Sequence, residues 1–385
     1  MYPPHHLGGY ELIWRGAVEH LRERGHAIRI LTTGYRDEAP DPALPEDPDC
    51  HRELGWYWSD HAFPRMSPLA RMRLERHNLR VLDRHRREFA PDLVAWWSMG
   101  GMSMSMIEDV SDRDCPSLAV VMDDWPSYGP AVDGWQRLVR RLRAPGIAER
   151  ATRIPTLGDL AATTRWLFIS EAQRRRVEGF IGPLPGARVA NAGVDTRLFT
   201  TAPEHDWRWR LLYCGRIDAR KGIDRAIRAL ALLPDRATLR IVGGGDEHHR
   251  AELAGLADDL GVSEQVSFER VPRDALPAIF AADDVLLFPV VWDEPWGLVP
   301  LEAMAVGMQV VASGRGGSGE YLRDRENCLV AAEPEQIAAA VTRLAEDPGL
   351  RHRLRSGARE TAARYPASAF ADGVERAAHE AVRRG

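Results

Sequence analysis

Two glutamates, Glu294 and Glu302, stand with seven residues between them in the run Val291-Trp-Asp-Glu-Pro-Trp-Gly-Leu-Val-Pro-Leu-Glu-Ala-Met-Ala-Val-Gly307. Carboxylates accept hydrogen bonds from hydroxyls, and the open amides at a helix N-terminus bind anions. The amides of Trp296, Gly297, Leu298 and Val299 fall where such an N-terminus is expected, and Gly297 permits close approach of a ligand to the backbone. An anion site flanked by two hydroxyl acceptors suits a sugar joined to a phosphate. The competing reading is structural, with Glu302 complementing the helix dipole and Glu294 capping the turn.

The elements that must position these groups are legible. The apolar run Asp284–Val291 reads as a buried parallel strand. Leu301, Ala303, Met304 and Ala305 favour helix, Pro300 fits a first helical turn, and Gly307 ends the helix. This places Glu294 on a turn and Glu302 in the first turn of the helix. One basic group stands out by rarity. Of 51 basic residues, Lys221 is the only lysine, in the loop Gly215-Arg-Ile-Asp-Ala-Arg-Lys-Gly222. Against that arginine bias, a compact and flexible ammonium has a reason to stand there.

Around these groups, strands alternate with helices in two series. The first contains strands at 26–33, 92–97, 117–122 and 165–170. The second contains strands at 209–214, 239–242, 266–268, 284–291, 310–312 and 328–330. Two doubly wound α/β domains facing across a cleft follow from that alternation. The boundaries are 1–198 for the first, 208–365 for the second, and 366–385 for a terminal helix long enough to cross back to the first. Gly8-Gly9 opens the helix 11–24, and such a turn normally follows a strand. That strand is expected upstream of Met1, in a chain with a trimmed or misplaced start. Residues 36–64, rich in Pro and Asp, read as an irregular excursion. In the first domain, Asp123, Asp124 and Trp125 follow a strand and are candidates for holding a polar acceptor. Two adjacent acids with no complementary ligand set do not predict a metal site. Trp96, Trp97, Trp125 and Trp135 fit either sugar stacking or core packing.

Composition bounds the rest. The 385 residues are 44% hydrophobic and 28% charged, ordinary for a globular chain. The net charge of −5 argues against nucleic acid as main partner. Four scattered cysteines, Cys50, Cys115, Cys214 and Cys328, have no metal-ligand spacing and read as reduced thiols of a cytoplasmic protein. Residues 65–88 carry eight arginines. A membrane contact there is conceivable, but a solvated helix face is preferred.

The second half of the chain resembles the GT-B glycosyltransferases, and within them the large retaining family four. The matches are Gly215-Arg216 with Lys221-Gly222, Gly243-Gly-Gly245, Asp283–Pro289, Glu294-Pro-Trp-Gly-Leu298, Glu302-Ala-Met-Ala305 and Gly316-Gly-Ser-Gly-Glu320. Looser matches in the first half are Pro3-Pro4, Gly8-Gly9, Ser170-Glu171 and Gly193-Val-Asp195. The resemblance implies a hexosyl transfer from a UDP- or GDP-sugar to a hydroxyl acceptor, with retention and with no metal or other cofactor. It implies that Arg216 and Lys221 neutralise the diphosphate and that Glu294 takes donor-sugar hydroxyls. The amides of Trp296, Gly297, Leu298 and Val299 would cradle sugar and phosphate, and Glu302 would bind the ribose. Gly8 and Gly9 would meet the diphosphate or sugar. Gly215 and Gly243 belong to the matched donor loops, and Val271, within 270–272, lines the base pocket. The family's histidine after the strand ending at Met122 has no counterpart here; Asp123 stands in its place. The rivals are a nucleotide-sugar epimerase of the same fold, an inverting transferase, and a non-catalytic nucleotide- or carbohydrate-binding protein.

Overall fold

The computed structural model describes all residues except 6–7, 38–39, 41–43, 59–62, 114, 143–144 and 384–385. The chain divides into two compact units, Met1–Asn191 with Phe370–Gly385, and Ala192–Ala369.

The first unit contains β1 (Ile30–Thr33), β2 (Cys50–Leu54), β3 (Val94–Trp97), β4 (Ser117–Val121), β5 (Arg165–Phe168) and β6 (Arg188–Val189). Strands β3 to β6 form a parallel sheet in that order, and β1 pairs with β2 in a separate parallel ribbon. All of β4 is buried, as a strand covered on both faces requires. β2 interrupts the stretch expected to be irregular; its sequence Cys-His-Arg-Glu-Leu has no run of β-branched residues to announce it.

The helix Pro68–Phe89 starts on Ser67, whose side chain accepts from the Ala70 amide, and it buries Glu75, Asn78, Val81, Leu82 and His85. Glu75 is satisfied inside the unit by Tyr57 (2.6 Å) and by the Ser105 hydroxyl. The terminal helix Ser368–Val382 belongs to this unit from Phe370 onward. It buries Phe370, Val374, Ala377 and Ala381 and is tied by His20 to Asp372 (2.9 Å) and by Arg24 to Glu375 (2.8 Å). The last two residues of the expected terminal helix lie outside the described residues. Among the described residues, no helix is long and apolar enough to cross a membrane.

The second unit contains β7 (Arg210–Cys214), β8 (Thr238–Val242), β9 (Val266–Glu269), β10 (Val285–Phe288), β11 (Gln309–Ala312) and β12 (Leu329–Val330). They form one parallel sheet in the order β12-β11-β10-β7-β8-β9. The chain therefore winds outward from β7 through β9, returns to place β10 against β7, and winds outward the other way. That reversal between β7 and β10 is the switch point at which open α/β sheets bind ligands, beyond the carboxyl ends of the strands. The segment 192–207, expected as a domain end and linker, is bonded to this unit. Trp296 Nε1 donates to the Ala192 carbonyl (2.8 Å), and the Ala202 amide to that of Val306 (3.0 Å).

Candidate functional site

The loops that leave β7 and β10 run side by side at the switch point. Gly222 is held left-handed (φ 68°), and a Cβ there would stand 2.1 Å from the Pro289 carbonyl oxygen. The Val291 amide donates to the Arg220 carbonyl (2.9 Å). Any residue larger than glycine at 222 would push the two loops apart. The loop after β7 is also stitched to the one after β8. The Ile217 amide donates to the Gly244 carbonyl (2.8 Å), and a Cβ on Gly243 would lie 1.9 Å from the Gly215 oxygen.

Lys221 and Glu294 meet here. Lys221 Nζ donates to Glu294 Oε2 at 2.6 Å, with side chains 16% and 12% exposed, so water and salt screen the pair less than a surface pair. Trp292 Nε1 donates to the same oxygen at 2.8 Å. Among the described residues, Glu294 Oε1 has no hydrogen-bond partner. The backbone of Glu294 is seated on the glycine turn 316–320. The Gly317 amide donates to its carbonyl (2.7 Å), and a Cβ on Gly316 (φ 66°) would stand 2.5 Å from its nitrogen. The Gly-Gly-Ser-Gly-Glu match thus has a mechanical meaning: it positions Glu294.

The helix after β10 is Leu298–Val306, capped by Gly297 (φ 84°) and ended by Gly307 (φ 89°). Among the described residues, no side chain caps its first turn. Gly297, Leu298 and Val299 are half-buried, whereas the Trp296 ring is fully buried against Tyr321 and Tyr365. Trp296 therefore offers only its backbone to a ligand. Because the helix begins at Leu298, Glu302 lies in its second turn and not in the first, as the sequence had suggested. Glu302 is buried there, paired with the Arg273 guanidinium from the segment after β9. Val271, two residues before Arg273, is half-buried on the same segment.

Arg216 is half-exposed, with one guanidinium nitrogen 3.3 Å from Asp218 and, among the described residues, its others without hydrogen-bond partners. The Arg220 guanidinium bonded to Asp218 holds that carboxyl far below the usual carboxylate range. Buried Tyr213 fixes the loop by donating to the Arg216 carbonyl (2.8 Å). Arg216, Lys221 and the open helix end thus give a cationic set beside carboxylates, an arrangement that can hold a diphosphate and hydroxyls together.

The first unit carries the remaining candidates. Gly8 (φ −179°) precedes the helix Gly9–Glu23, and among the described residues a Cβ on either glycine would meet nothing within 4 Å. Packing inside the unit does not demand glycine at either position. Asp123, at the end of β4, accepts from the Trp125 amide (3.3 Å), and burial pushes its carboxyl up to about 7. Asp124 is occupied by Arg176 (3.0 Å) and Gln173 (3.0 Å). Trp125, expected to help hold an acceptor, is fully buried and stacked on Trp166, so its ring belongs to the core. Trp96 and Trp135 are buried as well. Trp292, Arg273 and Arg220 were missed. Trp292 stands two residues before Glu294 and Arg273 directly after the expected base-pocket segment, but neither spacing by itself signals a pairing.

A parallel six-stranded sheet with glycine-cradled loops at its switch point defines a Rossmann-like, doubly wound α/β unit. Residues 199–361 match the family described as glycosyl transferases group 1, and the second unit is a domain of that family. The sequence is 36% identical over 204 residues to the GDP-mannose-dependent alpha-(1-6)-phosphatidylinositol monomannoside mannosyltransferase of Mycolicibacterium smegmatis, covering 47% of this chain and 53% of that protein. It is 35% identical over 229 residues to a D-inositol 3-phosphate glycosyltransferase of Acidothermus cellulolyticus, covering 54% and 51%. These matches span about half the length of the two curated relatives. The fold is GT-B: sucrose-phosphate synthase from Thermosynechococcus elongatus superposes with a TM-score of 0.74 at 20% identity, over 98% of this chain and 94% of that one.

Proposed function

We propose that this protein is a retaining glycosyltransferase that moves a hexosyl group from a UDP- or GDP-sugar to a hydroxyl acceptor without a metal ion. The observation that carries this reading is the meeting of Lys221, Glu294 and an uncapped helix N-terminus at the switch point of the second sheet. The relatives named above, one of them called GDP-mannose-dependent, support it.

In this reading the diphosphate lies against Arg216, Lys221 and the amides of Gly297, Leu298 and Val299. Glu294 Oε1 accepts a donor-sugar hydroxyl, and Glu302 accepts from the ribose, exchanging part of its pairing with Arg273. The acceptor oxygen bonds to the anomeric carbon as the bond from that carbon to the β-phosphate oxygen breaks. The acceptor's proton passes to the departing phosphate oxygen on the same face, giving retention. Charge accumulates on the leaving diphosphate, so the preorganised cations and amides are the main source of rate. Two fixed cations there replace the neutralisation that a divalent ion would supply. The first unit is assigned the acceptor, with Asp123 as its hydroxyl-binding carboxyl.

The test is nucleoside diphosphate release from a panel of UDP- and GDP-sugars, with and without polyol acceptors, before and after EDTA. The reading expects acceptor-dependent release that survives EDTA and a product with the donor's anomeric configuration. Acceptor-independent conversion of the donor indicates an epimerase. Inversion excludes the front-face mechanism.

A further inference from the structure

We propose that Trp292 is a positioning residue of this site, holding Glu294 and Lys221 in the register that leaves one carboxylate oxygen open to the sugar. The proposal rests on the donor-binding reading above. Three contacts converge on the indole. Its Nε1–H donates to Glu294 Oε2 at 2.8 Å. The Arg220 guanidinium carbon lies 4.5 Å from its ring centroid and Lys221 Nζ lies 5.5 Å from it, both within cation–π range. One side chain of the loop after β10 therefore touches two adjacent cations of the loop after β7 and the acid that pairs with one of them.

The geometry has a consequence for Glu294. A carboxylate with a single ammonium partner can rotate to share both oxygens with it. Here two donors, Lys221 Nζ and Trp292 Nε1, are fixed on the same oxygen. This occupies Oε2 twice and leaves Oε1 as the oxygen available to a hydroxyl. The ring also supplies a surface along which Lys221 can exchange its bond to Glu294 for one to a phosphate oxygen while remaining over the indole face. Arg220, bonded to Asp218, holds the ring from its own loop.

Two variants separate the hydrogen bond from the ring face. Trp292→Phe removes the N–H and keeps an aromatic face; Trp292→Leu removes both. For Trp292→Phe, kcat should fall about tenfold, the scale of one hydrogen bond to a charged group, while affinity for the nucleoside diphosphate stays within twofold. Trp292→Leu should in addition weaken nucleoside diphosphate binding about two- to fivefold, because the cations lose their platform.

The measurement specific to positioning is a double-mutant cycle. In a Glu294→Gln background, Trp292→Phe should change kcat by less than twofold, because the residue it positions is already disabled. Full additivity of the two substitutions overturns the proposal, as does a Trp292→Phe enzyme with wild-type kcat. A lowered melting temperature with additive losses assigns Trp292 to fold stability alone and also overturns it. Wild-type protein that binds no nucleoside diphosphate rejects the donor-binding reading itself, which is a different result from any of these.

Discussion

Glu294→Gln isolates the role assigned to one oxygen atom. The carboxylate presents Oε2 to Lys221 at 2.6 Å and to Trp292 at 2.8 Å, and leaves Oε1 open. A glutamine must orient its carbonyl oxygen toward those two donors, since an NH2 group facing an ammonium and an indole N–H would lose both bonds. Its amide nitrogen then occupies the open position and offers a donor where a sugar hydroxyl needs an acceptor. One hydrogen bond to a charged group is worth about 1.5–3 kcal/mol, which converts to roughly 10- to 150-fold in rate. Affinity for the nucleoside diphosphate should change less than about threefold, because Arg216, Lys221 and the helix amides are untouched; the scale for losing one of those charged contacts is tenfold or more. Steady-state kinetics with a fixed donor and titration calorimetry with the bare nucleoside diphosphate measure the two quantities separately. Unchanged turnover refutes the role of Oε1, and an equal loss in turnover and nucleotide affinity refutes its restriction to the sugar.

Two further outcomes follow from the same contacts and from the first unit's core. Lys221→Ala should lower nucleoside diphosphate affinity about tenfold or more, the scale of one charge-assisted bond; calorimetry giving wild-type affinity removes Lys221 from the diphosphate site. Burial, reinforced by nearby Asp133, pushes Glu75 up to about 8 from an ordinary 4.5. Its folded form stays protonated while the unfolded chain ionises, so the stability it contributes is complete below pH 4.5 and lost as pH rises toward 8. Glu75→Gln keeps an acceptor for Tyr57 and should flatten the fall of melting temperature between pH 5 and 8; identical slopes for the two proteins contradict that.

The second unit was legible because its central strand β10 is short, wholly apolar and fully buried, and the strands beside it carry apolar runs. Val285–Phe288 could hardly be anything but a central strand, and Gly307 marks the end of the helix that follows it. The site's acids and cations were legible for a different reason: glycines at 222, 243 and 316 stand where backbones cross within contact distance, and that leaves a spaced pattern in the sequence. What failed depended on tertiary pairing. β2 is a polar strand made by its partner β1, not by its own composition. The helix start at Leu298 is set by the left-handed Gly297, which moved Glu302 one turn inward. Trp125 follows two acids at a strand end and looked exposed, yet its ring turns into the core against Trp166. Trp292 joins two loops 71 residues apart in sequence, counted from Lys221, and no local spacing reports such a contact.

The central claim, that the loops after β7 and β10 form a nucleoside diphosphate site, is tested most directly by thermal shift of the full chain against UDP, GDP, ADP and TDP. A ligand that binds only the folded protein at 100 times its Kd adds about 2.7 kcal/mol of stability. The account predicts that at least one of these nucleotides raises the melting temperature in a concentration-dependent way, and that Lys221→Ala reduces the shift. A folded protein whose melting temperature responds to none of them contradicts it.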